Sequence, residues 1–165
     1  MKLAAFTLVA CAAVATPALA QPGQPVAAMS AACAPVTVAA VDAQFKKFSD
    51  AWATKNPDTV TALFAKDAVL LATVSNTPRT NPAAIRDYFV SFLKNAPVGT
   101  IDTSTVRLGC NEATRVGTWT VALTDPATGK RTDVKARYSF IYVWEAGEWK
   151  VAHLHSSQMP EPVRS

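Results

Sequence analysis

Glycine is scarce in this chain, six in 165 residues, and no glycine-rich phosphate-binding loop is spelled out anywhere. The usual sequence signature of a nucleotide site is therefore missing. Histidine is scarcer still: His153 and His155 are the only two, and no third ligand stands at suitable spacing, so no metal is expected. Lysine and arginine outnumber the acidic residues, for a formal net charge of +4, yet they form no run and no stripe interleaved with aromatics. Nucleic acid is not an expected partner. No apolar stretch reaches the ~20 residues that cross a bilayer, so no membrane span is expected. With no Cys-x-x-Cys, paired-carboxylate signature or nucleophile motif in view, no cofactor is expected either.

What the chain does have begins at its N-terminus. Lys2 precedes an apolar run from Leu3 to Ala15, and Thr16-Pro17-Ala18-Leu19-Ala20 ends in the Ala-x-Ala pattern of a secretory cleavage site. Residues 1–20 thus read as a signal peptide, which predicts a periplasmic or secreted protein starting at Gln21. The rival reading is a lipoprotein: Leu8-Val9-Ala10-Cys11 resembles a lipobox, with Cys11 as the lipid-bearing start. After cleavage at Ala20 two cysteines remain, Cys33 and Cys110, and in an oxidising compartment a structural disulfide is the expected pairing. Two free thiols are the alternative.

Residues 21–35, rich in Ala and Pro without periodicity, read as a disordered leader, and 162–165 as a tail. One domain is expected over 36–161. Val41, Phe45, Phe48 and Trp52 recur at i, i+4, i+7 and i+11, the apolar stripe of a helix. Asn56-Pro57 and Asn81-Pro82 each combine a capping side chain with a proline suited to the first helical turn. The first predicts a short helix presenting Val60, Leu63 and Phe64; the second predicts one striped by Ile85, Tyr88, Phe89 and Phe92. Between them Ala68–Val74 reads as a strand. Beyond Pro97 the period turns to alternation, predicting strands at Thr103–Cys110, Arg115–Thr124, Thr132–Trp144 and Glu148–Ser157, with hairpin turns at Asp125–Lys130 and Glu145–Gly147. Helices gathered first and antiparallel strands later predict an α+β domain: three N-terminal helices on a curved, mostly antiparallel sheet.

The order of elements, the Phe48-x-x-x-Trp52 pair and the phrase Ala62-Leu63-Phe64-Ala65-Lys66-Asp67-Ala68-Val69-Leu70 resemble the nuclear transport factor 2-like (SnoaL-like) superfamily. The run Gly147-Glu148-Trp149-Lys150-Val151-Ala152-His153-Leu154-His155-Ser156-Ser157 is similar to the association domain of calcium/calmodulin-dependent protein kinase II and its bacterial stand-alone relatives. The resemblance implies a cone-shaped fold with an interior pocket and a sheet face used for dimerisation. It leaves function open, because the superfamily holds isomerases, dehydratases, binding modules and oligomerisation hubs. It also implies a pocket for small carboxylates built partly from arginines on the last two strands. This chain has Phe140 and Ser156 at those two positions, while Arg137, Arg79 and Arg86 are candidates for a replacement charge.

Two functions follow as expectations. One is a non-catalytic binding or assembly domain, a homodimer or higher oligomer holding a small polar or acidic ligand through Arg137, His153, His155, Tyr88 and Tyr142. The other is an isomerase- or dehydratase-type enzyme with His153 or His155 as base and a tyrosine, Tyr138 among them, as its partner. Asp102 is a further acid–base candidate. Tyr138, Phe140, Tyr142 and Trp144 alternate on one strand face, followed by Trp149, and this face is the expected dimer surface. If helices cover it instead, it is core. A pocket filled by Phe and Trp, with both histidines outside it, favours assembly over catalysis.

Overall fold

The computed structural model describes residues 32–160. The expected signal peptide, most of the expected leader and the tail lie outside them. Helix α1, Val38–Ala53, starts where the Thr37 side chain accepts from the Ala40 N–H at 3.1 Å. It stops where Lys55 turns left-handed, at φ 55°. Its stripe buries Val41, Phe48 and Trp52, while Lys46 and Asp50 pair one turn apart on the wet side at 2.7 Å. Helix α2, Pro57–Thr61, and helix α3, Pro82–Phe92, are capped by the Asn56 and Asn81 side chains, as the Asn-Pro pairs predict. A single 3-10 turn, Leu93–Asn95, follows α3.

Five strands, β1 (Phe64–Leu71), β2 (Val98–Leu108), β3 (Glu112–Thr124), β4 (Arg131–Glu145) and β5 (Glu148–Gln158), form one sheet in the order β1-β5-β4-β3-β2. Every pairing is antiparallel except β1 with β5. The β4–β5 turn uses Ala146 and Gly147 with φ of 50° and 87°, both positive as a tight hairpin requires. Extra residues at Asp102 in β2 and Ala152 in β5 interrupt the register and bend those strands. At the first of these bulges only glycine fits opposite, since a Cβ on Gly117 would lie 2.0 Å from the Thr103 carbonyl oxygen.

The α+β class and mostly antiparallel sheet stand as expected, but the helical part differs. Only α1, with 16 residues, is long, and α2 and α3 are shorter, with five and eleven; β1 falls between α2 and α3, where a strand is expected. Leu63 and Phe64 leave α2: Val151 donates its N–H to the Leu63 carbonyl at 2.8 Å, and Phe64 pairs with Val151. Pairing with β5 thus sets where β1 begins and ends, overriding the local helical spacing. Likewise β2 starts at Val98, where pairing with Ala122 outweighs the weak strand preference of a Pro97-x-Gly99 segment.

The core lies between α1, α3 and the inner face of the sheet. Ring centroids of Phe48 and Phe140 are 5.3 Å apart, and those of Trp52 and Trp119 5.8 Å. Each fully buried ring of this kind contributes about 1.5–3 kcal/mol. Tyr138, Phe140 and Tyr142 are therefore core, with Phe45 and Phe48 of α1 against the Phe140 ring, and they are not a dimer surface as first expected. Only Trp144, packed edge-on against Trp149 at 5.4 Å, stays exposed at the strand end. Cys33 and Cys110 form a disulfide, with Cα atoms 4.9 Å apart. It joins the arm before α1 to the turn between β2 and β3, where the Ala34 N–H also bonds Asn111 Oδ1 at 2.8 Å. The last residues of the expected leader are thus held against the body.

Candidate functional site

Alternation along the strands sorts the candidates onto two faces. On the outer face, away from the helices, two cross-strand rows run through the sheet: Val116–Ser139–His155–Leu71 and Thr114–Ile141–His153–Val69. Arg137, also on this face, and His155 are exposed. His153 is half-buried, its Nδ1 3.1 Å from the Val69 carbonyl oxygen, and the two imidazole centroids are 6.5 Å apart. Val116, a β-branched apolar side chain, is 37% exposed here. Asp102 meets Thr120 and Lys135 on the same side, its Oδ2 accepting from Thr120 at 2.8 Å.

The inner face holds a small cavity, about 20 Å³, between α3, the end of α1 and the sheet. Its polar side chains are Trp52, Thr73, Tyr88, Trp119 and Ser156, and among the described residues no charged one lines it. Ser156 Oγ accepts from Trp119 Nε1 at 3.0 Å and is bonded to Thr73 Oγ1. The Trp52 indole N–H is buried with no partner among the described residues. Outside this cavity, past Val74, Tyr88 and Phe92, lies an open cleft of about 500 Å³ that also borders Arg79 and Asp87. The Arg79 guanidinium sits 5.1 Å from the Tyr88 ring centroid and donates to Ser75 Oγ and the Thr77 carbonyl. Burial pushes the Tyr88 phenol well above its ordinary pKa, with the Arg79 charge opposing.

The expected ligand set, then, does not converge. Arg137, His153 and His155 share the outer face, Tyr88 lines the inner cavity, and Tyr142 is not among the cavity's lining residues. Tyr138 donates to the Thr103 carbonyl at 3.0 Å, a structural bond that ties β4 to the β2 bulge. Phe140 and Ser156 do point inward, and no arginine compensates at the cavity: Arg86 pairs with Asp58 at the surface, at 2.6 Å.

Sequence reasoning missed Arg115, an inward-facing arginine on β3 that is only 6% exposed. It donates to Ser104 Oγ at 2.9 Å, lies 5.2 Å from the Phe45 ring centroid and forms an ion pair with Asp42 at 3.2 Å. That last contact is close but poorly aligned, so Nη1 counts as charge-paired without a directed hydrogen bond. The Tyr142 hydroxyl is also buried with no partner among the described residues, and burial raises its pKa although the Arg115 charge pulls the other way. The signal available was parity: Arg115 falls at an inward position of the β3 alternation.

This geometry, a bent five-stranded sheet closed on one side by helices, defines an α+β domain of the nuclear transport factor 2-like kind. Two solved structures share that fold alone. A dehydratase-type member of the nuclear transport factor 2-like family from Streptomyces avermitilis is 12% identical, with a TM-score of 0.68 over 75% of this chain and 97% of that one. A ketosteroid isomerase-like protein from Erwinia carotovora atroseptica is 18% identical, with a TM-score of 0.62 over 74% and 96%. Residues 38–160 match the family of the calcium/calmodulin dependent protein kinase II association domain, and the chain belongs to that family. A solved structure from Xanthomonas campestris, assigned to the same association domains, is 45% identical, with a TM-score of 0.72 over 74% of this chain and 87% of that one. Among curated protein sequences none matches the chain.

Proposed function

We propose that this chain is a non-catalytic assembly domain whose copies pair through the outer sheet face. The observation that carries the reading is the contrast between faces. Interior positions are filled by Phe48, Trp52, Trp119 and Phe140, while Val116, Ile141, His153 and His155 form rows on the face turned from the helices. A two-fold contact between two such faces would cover the apolar residues of these rows. The association-domain family supports self-assembly as the role. Catalysis of the isomerase or dehydratase type finds less support, because neither histidine lines the cavity and no charged group stands there to move a proton. The Cys33–Cys110 disulfide supports work in an oxidising compartment, as the N-terminal signal predicts. No helix among the described residues is long and apolar enough to cross a membrane.

Light scattering of residues 21–165 tests the assembly. The expected mass is that of a dimer or a larger closed ring, falling to the monomer in Ile141→Asp while the circular dichroism spectrum is unchanged. A wild-type monomer at micromolar concentration, or an Ile141→Asp protein of undiminished mass, contradicts the proposal.

A further inference from the structure

His153 and His155 stand together on the face assigned above to pairing, and their cross-strand neighbours bring them no carboxylate. On β1 they are flanked by Val69 and Leu71, and on β4 by Ile141 and Ser139. The loop after β1 closes a cleft beside His155 with Ser75, Asn76, Thr77 and Pro78, and no charged side chain among the described residues lines it.

The charges that share the face lie further along the strands. Arg137, exposed and opposite Ser157, is one pair beyond His155. Past it, Lys135 lies 3.8 Å from Asp102, and Arg131 pairs with Asp133 at 3.2 Å. Arg107 of β2 stands opposite Thr114, and Glu112 of β3 opposite Val143. At the hairpin end Glu145 pairs in register with Glu148, whose carboxylate meets Lys150 at 2.9 Å. Asp67 is exposed on β1, two residues before Val69.

Both imidazoles have a nitrogen free to take a proton. The Val69 carbonyl can only accept, so His153 Nδ1, 3.1 Å away, carries the hydrogen and Nε2 is left for a second one. His155 is exposed, and the ring centroids are 6.5 Å apart, so two charged rings repel each other. Imidazole ordinarily changes charge between about pH 5 and 8. In a separate copy water solvates that charge. A two-fold pair doubles it: four imidazolium groups and two Arg137 guanidiniums would be enclosed with Val69, Val116 and Ile141. Lost hydration and like-charge repulsion then act in the same direction.

We propose that assembly through this face is switched by pH: copies pair while His153 and His155 are neutral and separate as the two rings protonate. The proposal rests on the pairing reading and adds its regulation. The sign follows from linkage, because a pair that holds fewer protons than two separate copies is weakened by acid.

The test is sedimentation equilibrium of residues 21–165 between pH 8 and pH 5, with circular dichroism to check that the separated copies stay folded. The dissociation constant should rise by about tenfold per pH unit for each proton taken up on separation. The double substitution His153→Gln and His155→Gln should remove the rise. Diluting the wild type at pH 6.5 in buffers of different ionisation enthalpy should show proton uptake by calorimetry, and this decides the matter if the double variant no longer pairs. A wild-type pair as tight at pH 5 as at pH 8, or separation without proton uptake, overturns the switch and leaves pairing standing. Equal weakening by acid in the double variant overturns it too, since other groups would then be responsible. A wild-type monomer at pH 8 overturns the switch and the pairing together.

Discussion

The inner and outer positions of β4 obey one alternation and meet opposite fates. Ala136, Tyr138, Phe140 and Tyr142 are buried in the core, whereas Lys135 and Arg137 are exposed and Ser139 and Ile141 only partly covered. The strand itself does not choose between its faces. What differs is where the helices lie, so the aromatic side serves stability and the mixed side, with its histidines and Val116, is the one proposed for association.

Substitution on the two faces should break this symmetry most sharply. Phe140→Ala empties a fully buried site and should cost about 3–5 kcal/mol in urea unfolding, whereas Ile141→Ala one residue on should cost about 1 kcal/mol in the dissociated protein. Equal losses would mean that the outer face is packed as tightly as the inner one. Next in size is the disulfide. Cys33→Ser removes a link across 77 residues and should lower stability by about 2–5 kcal/mol, and reducing the wild type should match it in thermal unfolding. Insensitivity to reductant would show that the arm adds nothing to the body.

The smallest effect concerns pH. Tyr88 and Tyr142 are phenols whose pKa values burial raises above the unfolded value of about 10. A raised folded pKa contributes stability that is whole below about pH 10 and is lost as the pH climbs towards the folded value, because only the unfolded chain then ionises. The unfolding midpoint should therefore fall above pH 10, and the fall should shrink in Tyr88→Phe. Midpoints in Tyr88→Phe that track the wild type through pH 11 would mean that Tyr88 is wetter than its packing implies.

Much of the fold was legible because it rests on local chemistry. Asn56 and Asn81 cap their helices next to a proline, the α1 stripe has helical spacing, and Gly147 marks its turn, so these elements follow from neighbouring residues. The signals failed where pairing decided. Phe64 belongs to a helical spacing by sequence but to β1 by its bond to β5, and Val98 joins β2 only because β3 extends opposite it. The candidate site was half legible for a similar reason: parity put His153 and His155 on one face, but nothing local told which face the helices cover.

The sequence by itself determined which residues travel together: the two histidines on one face of the last strand and the aromatic alternation of the strand before it. Side-chain direction along a strand or helix is set by backbone geometry, which repeats every two or 3.6 residues whatever surrounds it. Only the tertiary structure decided that the aromatics face α1, that the histidines lie outside the cavity, and that Trp52, Thr73, Ser156 and Tyr88 meet around it. Those contacts join segments far apart in the chain, 83 residues for Thr73 and Ser156, and they exist only once hydrophobic burial has packed the helices on one side of the sheet.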